Sequence, residues 1–364
     1  MGFFLLFAFL LQIILTIFLS SLFIPTPFSD TGTVRYRTIP WMTFALILVN
    51  SLVFIIWQAP NYYQGFQALQ EQGLSGSGEL MVNRYIEQLY LYGLRSSSIR
   101  GPASIGAFTS FTSMFMHANL DHLLGNMIFL WTFGRRVEDA CGAGRFLVFY
   151  LGAGMVANIG TLVLAPSLDD LPGVGASGAI AGVMGAYLVL FPGAHVKAFW
   201  GIGSVFRVPV MVLVRLFGQM SSSARWIIGG LIGGFLGYLG GGLFLSLLTL
   251  EIFGESAMPP LLENIQFVVA AGIVLGALMF GYALGQQTDK DAPIWRWTVN
   301  IPAFGFLIFF LIHEVVPSIN VIQGTRELVG VNNLAHLSGF LAALAIFFYV
   351  RKDLFTRYFS GRTV

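Results

Sequence analysis

Charged residues are scarce in this chain, and so is cysteine. Only 10% of its 364 residues are Asp, Glu, Lys or Arg, whereas 56% are hydrophobic. Soluble globular domains carry about 25% charged residues, so the composition predicts an all-α, polytopic membrane protein. The single cysteine, Cys141, cannot form an intramolecular disulfide. A net charge of only +2 gives no reason to expect nucleic acid as a partner.

Nine apolar segments approach the ~20 residues that a helix needs to cross a bilayer. They are residues 3–24, 39–57, 114–133, 146–165, 176–192, 226–250, 264–285, 299–316 and 331–350. The first segment lacks the basic start and the small-residue cleavage site of a signal peptide, so we interpret it as a helix. Segment 198–218 contains Arg207, Pro209 and Arg215, and we interpret it as an interfacial or partly re-entrant helix.

The distribution of Lys and Arg predicts the orientation of these spans. With the N-terminus outside, 15 of the 19 Lys and Arg residues fall on inner segments. The C-terminus is then cytoplasmic. Residues 58–112 form a long outer loop, in which the stretch from Glu79 to Leu94 has the pattern of an amphipathic helix. An ordinary folded loop is an equal alternative for that stretch.

Isolated polar residues occur within three of the spans. They are His117, His122 and Asn126 in one, Ser177 at the outer end of another, and His336 about five residues into a third. Polar and ionisable groups at membrane depth are costly and usually functional. His122 and Asn126 are four residues apart and so share a helical face. All these groups are predicted on the outer side at similar depths.

This set of residues fits acyl transfer, which needs a nucleophile, a base and donors for the oxyanion. Ser177 is the candidate nucleophile and His336 the base that accepts its proton. The Ser177 backbone N–H, free at a helix N-terminus, joins His122 and Asn126 as oxyanion donors, each worth ~3 kcal/mol of barrier. No carboxylate is evidently placed to orient His336, so the sequence predicts a Ser–His dyad.

Small residues on the two helices agree with a close serine–histidine approach. Gly178, Gly182 and Gly185 lie along the serine helix, and Gly339 and Ala343 along the histidine helix. Small residues four apart allow helices to pack closely in membranes. Taken singly, each feature has a structural explanation: a serine beside glycine usually serves packing, and His117 is more readily structural than functional. His195 and His313 receive no role.

A transporter is a competing interpretation, because nine helices with glycine-broken segments suit one. A transporter should carry an intramembrane carboxylate or a repeat. Every Asp and Glu falls in a loop or at a predicted span end, and we see no convincing repeat.

Three motifs resemble the signatures of the rhomboid intramembrane proteases, in the order that the family has them. They are His117-x4-His122-x3-Asn126, Gly175-Ala176-Ser177-Gly178 and Ala335-His336-x2-Gly339. The flanking stretches 133–139 (Phe-Gly-Arg-Arg-Val-Glu-Asp) and 186–192 (Ala-Tyr-Leu-Val-Leu-Phe-Pro) are typical of bacterial members. The similarity runs from about Ile39 through the histidine helix, apart from one large interruption.

The resemblance implies the same roles as the residues themselves: Ser177 nucleophile, His336 base, and His122, Asn126 and the Ser177 amide as oxyanion donors. His117, Gly175, Gly178 and Gly339 would support them. It implies cleavage of transmembrane protein substrates within the lipid bilayer, near their outer ends, at small residues with helix-destabilising residues nearby. It implies no cofactor and no metal. The loop before Ser177 and helix 299–316 are then candidates for lateral opening, in a bacterial plasma membrane.

The chain departs from the family pattern at three points. Some members have a tyrosine four residues after the serine, on which the histidine stacks, where this chain has Ala181. Ala343 replaces the second glycine of the histidine helix. The interval between Ser177 and His336 is also much longer than one intervening helix requires.

These features predict a rhomboid-like core of six helices with about three additional ones. We divide the chain into an extra N-terminal helix and linker (1–38), the first part of the core (39–218), an inserted helix pair (219–297), the last two core helices (298–350) and a basic cytoplasmic tail (351–364). The insertion's role and the oligomeric state stay open. The main alternative function is a catalytically inactive rhomboid-like protein that binds transmembrane helices.

Overall fold

The structure is a computed structural model of the whole chain. It describes residues 25–30, 38–62, 77–100, 105–164, 171–201, 220–251, 297–322 and 332–359, with a few isolated positions at 208–216 and at 273. The predicted spans 3–24 and 264–285 lie outside the described residues, apart from Ile273, and so does most of segment 198–218. The chain divides into two compact units, Met1–Phe199 with Asn300–Val364, and Trp200–Val299.

The first unit is built mainly from helices. They are α1 (Trp41–Leu52), α2 (Ser77–Tyr92), α3 (Ser96–Arg100), α4 (Gly106–Thr112), α5 (Leu120–Phe129), α6 (Arg135–Cys141), α7 (Ala143–Leu164) and α8 (Ser177–Leu190), followed after the second unit by α10 (Ala303–Ile322) and α11 (Asn333–Phe359). Two π-helical segments, Val53–Gln58 and Leu130–Gly134, continue α1 and α5. A short 3-10 turn, Ser113–Phe115, follows α4. The helix predicted around Glu79 to Leu94 is present as α2.

The described part of the second unit consists mainly of α9 (Ser222–Glu251), which contains the predicted span 226–250. Its glycines lie at the centre of this 30-residue helix, although glycine costs a helix about 1 kcal/mol relative to alanine in water.

A small sheet corrects the prediction of an all-α fold. Its strands are β1 (Thr26–Asp30), β2 (His195–Phe199) and β3 (Thr298–Pro302), in the spatial order β1-β2-β3. β1 and β2 pair antiparallel, with a bulge between Pro27 and Ser29. Backbone groups outside helices still need hydrogen-bond partners. The three strands lie in segments that connect helices, and they provide these partners for one another. The prediction missed these strands because it was based on apolar segments of about 20 residues, and a five-residue strand is too short to appear as one.

Two of the described helices are long and apolar enough to cross a membrane, Trp41–Tyr62 and Ala143–Leu164. Only 33% and 28% of their most apolar windows are buried, whereas the core helix of a soluble protein is mostly covered. Large apolar side chains such as Ile56, Val148 and Val163 point outward, as lipid-facing residues do. Ser177–Leu190, Ala303–Ile319 and Asn333–Phe347 are shorter apolar helices. The count of nine spans stays a prediction.

Helix α8 lies at the centre of the first unit. Of its 14 residues, 12 are buried, and it packs on both α7 and α11. A helix that is apolar on every side is expected to be buried on every side. α8 therefore provides a fixed frame for its first residue, Ser177.

The far end of α8 meets a network of buried polar side chains. Arg136 on α6 pairs with Asp30 of β1, with Nε 2.7 Å from Oδ2 and Nη2 3.1 Å from Oδ1. The Tyr187 hydroxyl, near the C-terminal end of α8, donates to the same Oδ2 at 3.1 Å. This network joins α6, α8 and β1.

Two further carboxylates of α6 hold the start of α1. The backbone N–H groups of Met42 and Thr43 donate to Glu138 at 2.9 and 2.7 Å, and the Thr43 hydroxyl does so at 2.7 Å. Asp139 accepts from the backbone and hydroxyl of Thr38. The first amides of a helix have no partner within it, so Glu138 caps α1 from a neighbouring helix.

Candidate active site

The segment before Ser177 is tied to residues 94–113 by backbone hydrogen bonds. Leu94 and Gly173 exchange two of them, at 2.9 and 2.8 Å, and the Gly175 N–H donates to the Ser113 carbonyl at 2.8 Å. Gly175 has a φ of +132°, a conformation that only glycine adopts without strain. These contacts fix the approach of the chain to α8.

Gly175 brings Ser177 and His122 to one place. A Cβ atom on Gly175 would lie 2.8 Å from Cε1 and 3.0 Å from Nε2 of His122, and 3.5 Å from Oγ of Ser177. The imidazole therefore lies against the bare α-carbon, beside the serine hydroxyl. Any larger residue at position 175 would push the imidazole away.

Ser177 is the first residue of α8 and is partly exposed. The N–H groups of a helix's first turn lack intrahelical acceptors and carry the positive end of the helix dipole. The Ser177 amide therefore can donate to an oxygen held beside its own hydroxyl.

His122 and Asn126 lie on successive turns of α5. The Asn119 side chain caps this helix by accepting from the His122 N–H at 2.8 Å. Asn126 is 8% exposed, and its Nδ2 has no hydrogen-bond partner among the described residues. Buried amide groups are normally paired, so an unpaired Nδ2 needs an explanation, and an oxygen atom of a bound substrate would supply one.

His117 lies behind His122, with the two ring centres 5.3 Å apart and edge to face. Both of its ring nitrogens are buried without a partner in the described part of the chain. Its backbone is held by Gln58, whose Nε2 donates to the His117 carbonyl at 3.1 Å and whose Oε1 accepts from the His117 N–H at 3.0 Å. We did not predict this contact from the sequence. Residue 58 lies just past a predicted span, so nothing in its position singled it out.

Tyr85 of α2 also reaches this segment, where its hydroxyl donates to the carbonyl of Ala118. Burial and the neighbouring Tyr62 raise the pKa of Tyr85 above its usual range. The hydroxyl therefore stays protonated and remains a donor. Helix α2 thus fixes the residue next to His117, whereas the sequence had suggested for this stretch either a helix on the lipid surface or an ordinary folded loop.

The small residues on α8 and α11 lie where the two helices touch. A Cβ on Gly339 would collide with the Gly178 carbonyl oxygen, and one on Gly182 would lie 3.3 Å from the Gly339 carbonyl oxygen. A Cβ on Gly178 would lie 3.7 Å from both Cβ and O of Ala335. Because residue numbers rise together along this contact, α8 and α11 run parallel and begin at the same end.

His336 lies in the first turn of α11, next to the contact between Gly178 and Ala335. The Asn332 side chain caps this turn by accepting from the Ala335 N–H at 3.0 Å, and the Thr161 hydroxyl of α7 donates to the same oxygen. His336 is 9% exposed and close enough to His122 for their charges to interact. Within the described ranges no hydrogen bond joins Ser177 to His336. Such bonds are often long in an enzyme without substrate.

A carboxylate lies beside His336, which the sequence had not indicated. Nδ1 of His336 is 3.1 Å from Oε2 of Glu314, and both side chains are buried. The ring N–H is not aligned on that oxygen as in a hydrogen bond, since Nδ1 has no such partner in the described residues. Glu314 was assigned to a span end, but α10 continues to Ile322, so it lies well inside the helix.

The remaining predicted residues have simple positions. His195 begins β2, and His313 is exposed next to Glu314. Among the described residues, no group of three or more His, Cys, Asp and Glu could hold a metal ion. The catalytic roles of Ser177, His336, His122 and Asn126 stay predictions.

Comparison with known proteins finds similarity to the rhomboid proteins. A family model described as Rhomboid domain matches residues 106–247, which include His122, Asn126 and Ser177 but not His336. The chain is 36% identical over 127 residues to rhomboid protease GluP of Bacillus subtilis, covering 34% of this chain and 24% of that protein.

Relatives in eukaryotic organelles are also similar. Rhomboid protein 1, mitochondrial, of Saccharomyces cerevisiae is 29% identical over 194 residues, 51% of this chain and 46% of that protein. Rhomboid-like protein 11, chloroplastic, of Arabidopsis thaliana is 32% identical over 156 residues, 42% of this chain and 49% of that protein. The chain thus spans between a quarter and a half of the length of these relatives. No solved structure matches significantly. Residues 106–247 thus match a rhomboid domain, and the chain is similar to rhomboid proteins of bacteria and of eukaryotic organelles.

Proposed function

We propose that this protein is a multi-pass intramembrane serine endopeptidase that cleaves transmembrane segments of other membrane proteins. One observation carries the proposal: His122 Nε2 and Ser177 Oγ both lie within 3.5 Å of the position that a Cβ on Gly175 would occupy, and His336 lies in the first turn of the helix that packs parallel to the serine helix. A nucleophile, a base and oxyanion donors at one place are what acyl transfer requires.

In the acylation step, Ser177 Oγ attacks the carbonyl carbon of the scissile peptide bond and His336 accepts the hydroxyl proton. An Oγ–C bond forms and the carbonyl oxygen becomes an oxyanion. The C–N bond then breaks, and the imidazolium returns the proton to the leaving amine. The acyl-enzyme is hydrolysed when water attacks the same carbon with His336 again as base. The partial exposure of Ser177 leaves a path for that water.

The oxyanion is stabilised by groups that are already in position. The Ser177 N–H, the His122 side chain and the Asn126 Nδ2 are the three donors, each lowering the barrier by ~3 kcal/mol. The unpaired Nδ2 of Asn126 supports this role, because the transition state supplies its missing partner. An interaction made only in the transition state accelerates the chemical step.

Substrates of this class are helices embedded in the bilayer. The outward-facing apolar side chains of α1 and α10, such as Ile56, Phe309 and Ile312, support approach from the lipid. A helical peptide bond is shielded by its own hydrogen bonds, so the substrate must unwind before Ser177 can attack. We assign the site to the outer face of a bacterial plasma membrane and the C-terminus to the cytoplasm, on the basis of the Lys and Arg distribution.

Covalent labelling tests the proposal without knowledge of the natural substrate. Purified protein in detergent is treated with a fluorescent fluorophosphonate, which forms an Oγ–P bond with an activated serine and releases fluoride. We expect wild type to be labelled, Ser177→Ala to show no labelling and His336→Ala to lose at least about 100-fold in rate. Ser338→Ala, a serine of the histidine helix, is the matched control and should label normally.

Equal labelling of wild type and Ser177→Ala would contradict the proposal. The same holds for a folded wild type that fails to label while a known rhomboid protease does. The function would then be that of an inactive rhomboid-like protein that binds transmembrane helices.

A further inference from the structure

We propose that the Glu314 carboxylate orients His336 and stabilises its protonated form, acting as a positioning residue in a Ser177–His336–Glu314 relay. This inference rests on the proposed function, because it assigns a third residue to the same site. The geometry that carries it is the 3.1 Å separation between Nδ1 of His336 and Oε2 of Glu314, both buried.

Burying a carboxylate is unfavourable unless it is paired and hydrogen-bonded. Oε2 of Glu314 accepts a hydrogen bond from Asn333 Nδ2 at 2.7 Å. Its cationic neighbours among the described residues are two histidines, His336 at 3.1 Å and the exposed His313 at 3.5 Å. The buried carboxylate is therefore best compensated when His336 carries a positive charge.

That charge is the one that forms during the reaction. Removal of the Ser177 proton by His336 creates an imidazolium, and a carboxylate beside Nδ1 stabilises it. The carboxylate also favours the tautomer with the proton on Nδ1, which leaves Nε2 with a free lone pair to act as base. Because the imidazolium is absent from the ground state, its stabilisation lowers the barrier.

Glu314 also accounts for the ring's position in a chain with Ala181 at the place where some relatives stack a tyrosine. Phe310 and Glu314 are one turn apart on α10 and so share a face. The Phe310 ring lies 6.1 Å from the His336 ring, centre to centre, at 34°. Helix α10 thus presents a ring to one part of His336 and a carboxylate to its Nδ1.

The pH dependence of fluorophosphonate labelling tests this inference. The charged or titratable groups facing His336 are Glu314 from α10 and His122 from α5, and His313 faces Glu314 from its own helix. We expect Glu314→Gln to label on the order of 10- to 100-fold more slowly at its optimum. The acid limb of its profile of labelling rate against pH should move to lower pH by about one unit or more, because the amide no longer favours protonated His336. The reagent's apparent affinity should be unchanged.

Two further variants separate charge from packing. Glu314→Asp keeps a carboxylate farther from Nδ1, so its rate and acid limb should fall between those of wild type and Glu314→Gln. Asn333→Ala removes the 2.7 Å link between the helices but keeps the charge, so its acid limb should match wild type. If Glu314→Gln does not fold, the test rests on Glu314→Asp. An acid limb of Glu314→Asp that coincides with that of wild type then overturns the inference.

An acid limb in Glu314→Gln that coincides with wild type overturns the inference, whatever the rate. Equal slowing by Glu314→Gln and Asn333→Ala with unmoved limbs would assign Glu314 a structural role only. Failure of wild type to label would remove the proposed function and this inference together. Normal labelling that is lost in Ser177→Ala, with Glu314→Gln unchanged, would remove only the inference.

Discussion

The two ends of helix α8 hold polar side chains that differ in how well they are paired. At the Tyr187 end, buried Asp30 accepts hydrogen bonds from Arg136 and Tyr187 at 2.7 to 3.1 Å, and buried Glu138 accepts from the Thr43 backbone at 2.7 Å. At Ser177, about 15 Å away along the helix, both ring nitrogens of His117 and Nδ2 of Asn126 have no partner in the described residues.

We call the paired end of α8, around Tyr187, the scaffold end, and the unpaired end, around Ser177, the site. A buried polar network that is fully paired fixes one arrangement of helices, and removing one member leaves the others unpaired at high cost. Buried unpaired donors cost the folded state stability, but they are ready for an oxygen that arrives with the substrate. Substitutions at the paired end should lower stability, and those at the unpaired end should lower the rate of reaction.

The largest effect on stability is expected from Arg136→Met. It leaves Asp30 buried without its cation, which costs about 3 to 5 kcal/mol in comparable sites. The melting temperature in detergent should fall markedly, while fluorophosphonate labelling per folded molecule stays within a few-fold of wild type.

Arg135→Met is the matched control, because Arg135 stacks on the Trp131 ring at 4.0 Å and donates to the Trp131 carbonyl within one helical turn. We expect it to cost less than about 1 kcal/mol. Equal melting temperatures for the two variants would show that the Asp30–Arg136 pair does not stabilise the first unit.

The largest effect on rate without loss of stability is expected from Asn126→Leu. Removing one oxyanion donor slows comparable enzymes by about 100-fold or more. The buried Nδ2 has no partner to lose in the described part of the chain, so the melting temperature should stay the same or rise slightly. Labelling rate and melting temperature are measured on the same preparation.

Thr132→Val is the control for Asn126→Leu. Thr132 lies in the π-helical segment that continues α5. Thr132 is buried, and its hydroxyl donates to the Ile128 carbonyl at 2.8 Å. This paired group should give the opposite result, with an unchanged labelling rate and a loss of at most about 1 kcal/mol. A drop in melting temperature for Asn126→Leu larger than that for Thr132→Val would contradict the comparison.

A smaller effect, opposite in sign, is expected from His117→Phe. Among the described residues, neither buried ring nitrogen of His117 has a hydrogen-bond partner of good geometry, and replacing such groups by an apolar ring of similar shape removes a desolvation cost. We expect a gain in stability of up to about 1 kcal/mol, seen as a higher melting temperature. A lower one would mean that the imidazole has a bonded partner in the folded protein.

Local spacing in the sequence predicts much of the site. Because the helical period is fixed, His122 and Asn126 had to share a face of α5. The contact between Gly178 and Gly339 was also predictable, since only small residues permit such an approach. These inferences depend on one helix or on one pair of matching surfaces.

Glu314 could not be predicted in the same way. The span predicted at 299–316 ended just past Glu314, but α10 continues through Pro317 to Ile322, which moves Glu314 from an end to the interior. Which face of α10 meets His336 depends on how two helices pack. The Gln58–His117 clamp joins residues 59 positions apart, and the three-stranded sheet joins connections that are farther apart still. Hydropathy carries no information about such pairings.

The smallest effect of all is expected from Cys141→Ala, because this thiol makes only weak local contacts, donating to the Val137 carbonyl at 3.0 Å and to the Gly142 carbonyl at 3.8 Å. In wild type, burial and the nearby Glu138 raise the pKa of Cys141 to about 12, so the reactive thiolate is rare at neutral pH. Alkylation by iodoacetamide at pH 8 should be about 1,000-fold slower than that of a free cysteine. Rapid alkylation of the folded protein would show that the scaffold end opens readily.

Cys141 is the only thiol in the chain, so its alkylation rate reports local opening at the scaffold end, just as fluorophosphonate reports the site. Arg136→Met should speed alkylation and leave phosphonylation of folded molecules nearly unchanged. Asn126→Leu should slow phosphonylation and leave alkylation at the wild-type rate. A variant at one end that changes both rates equally would mean that α8 couples the two ends, and the division into scaffold and site would fail.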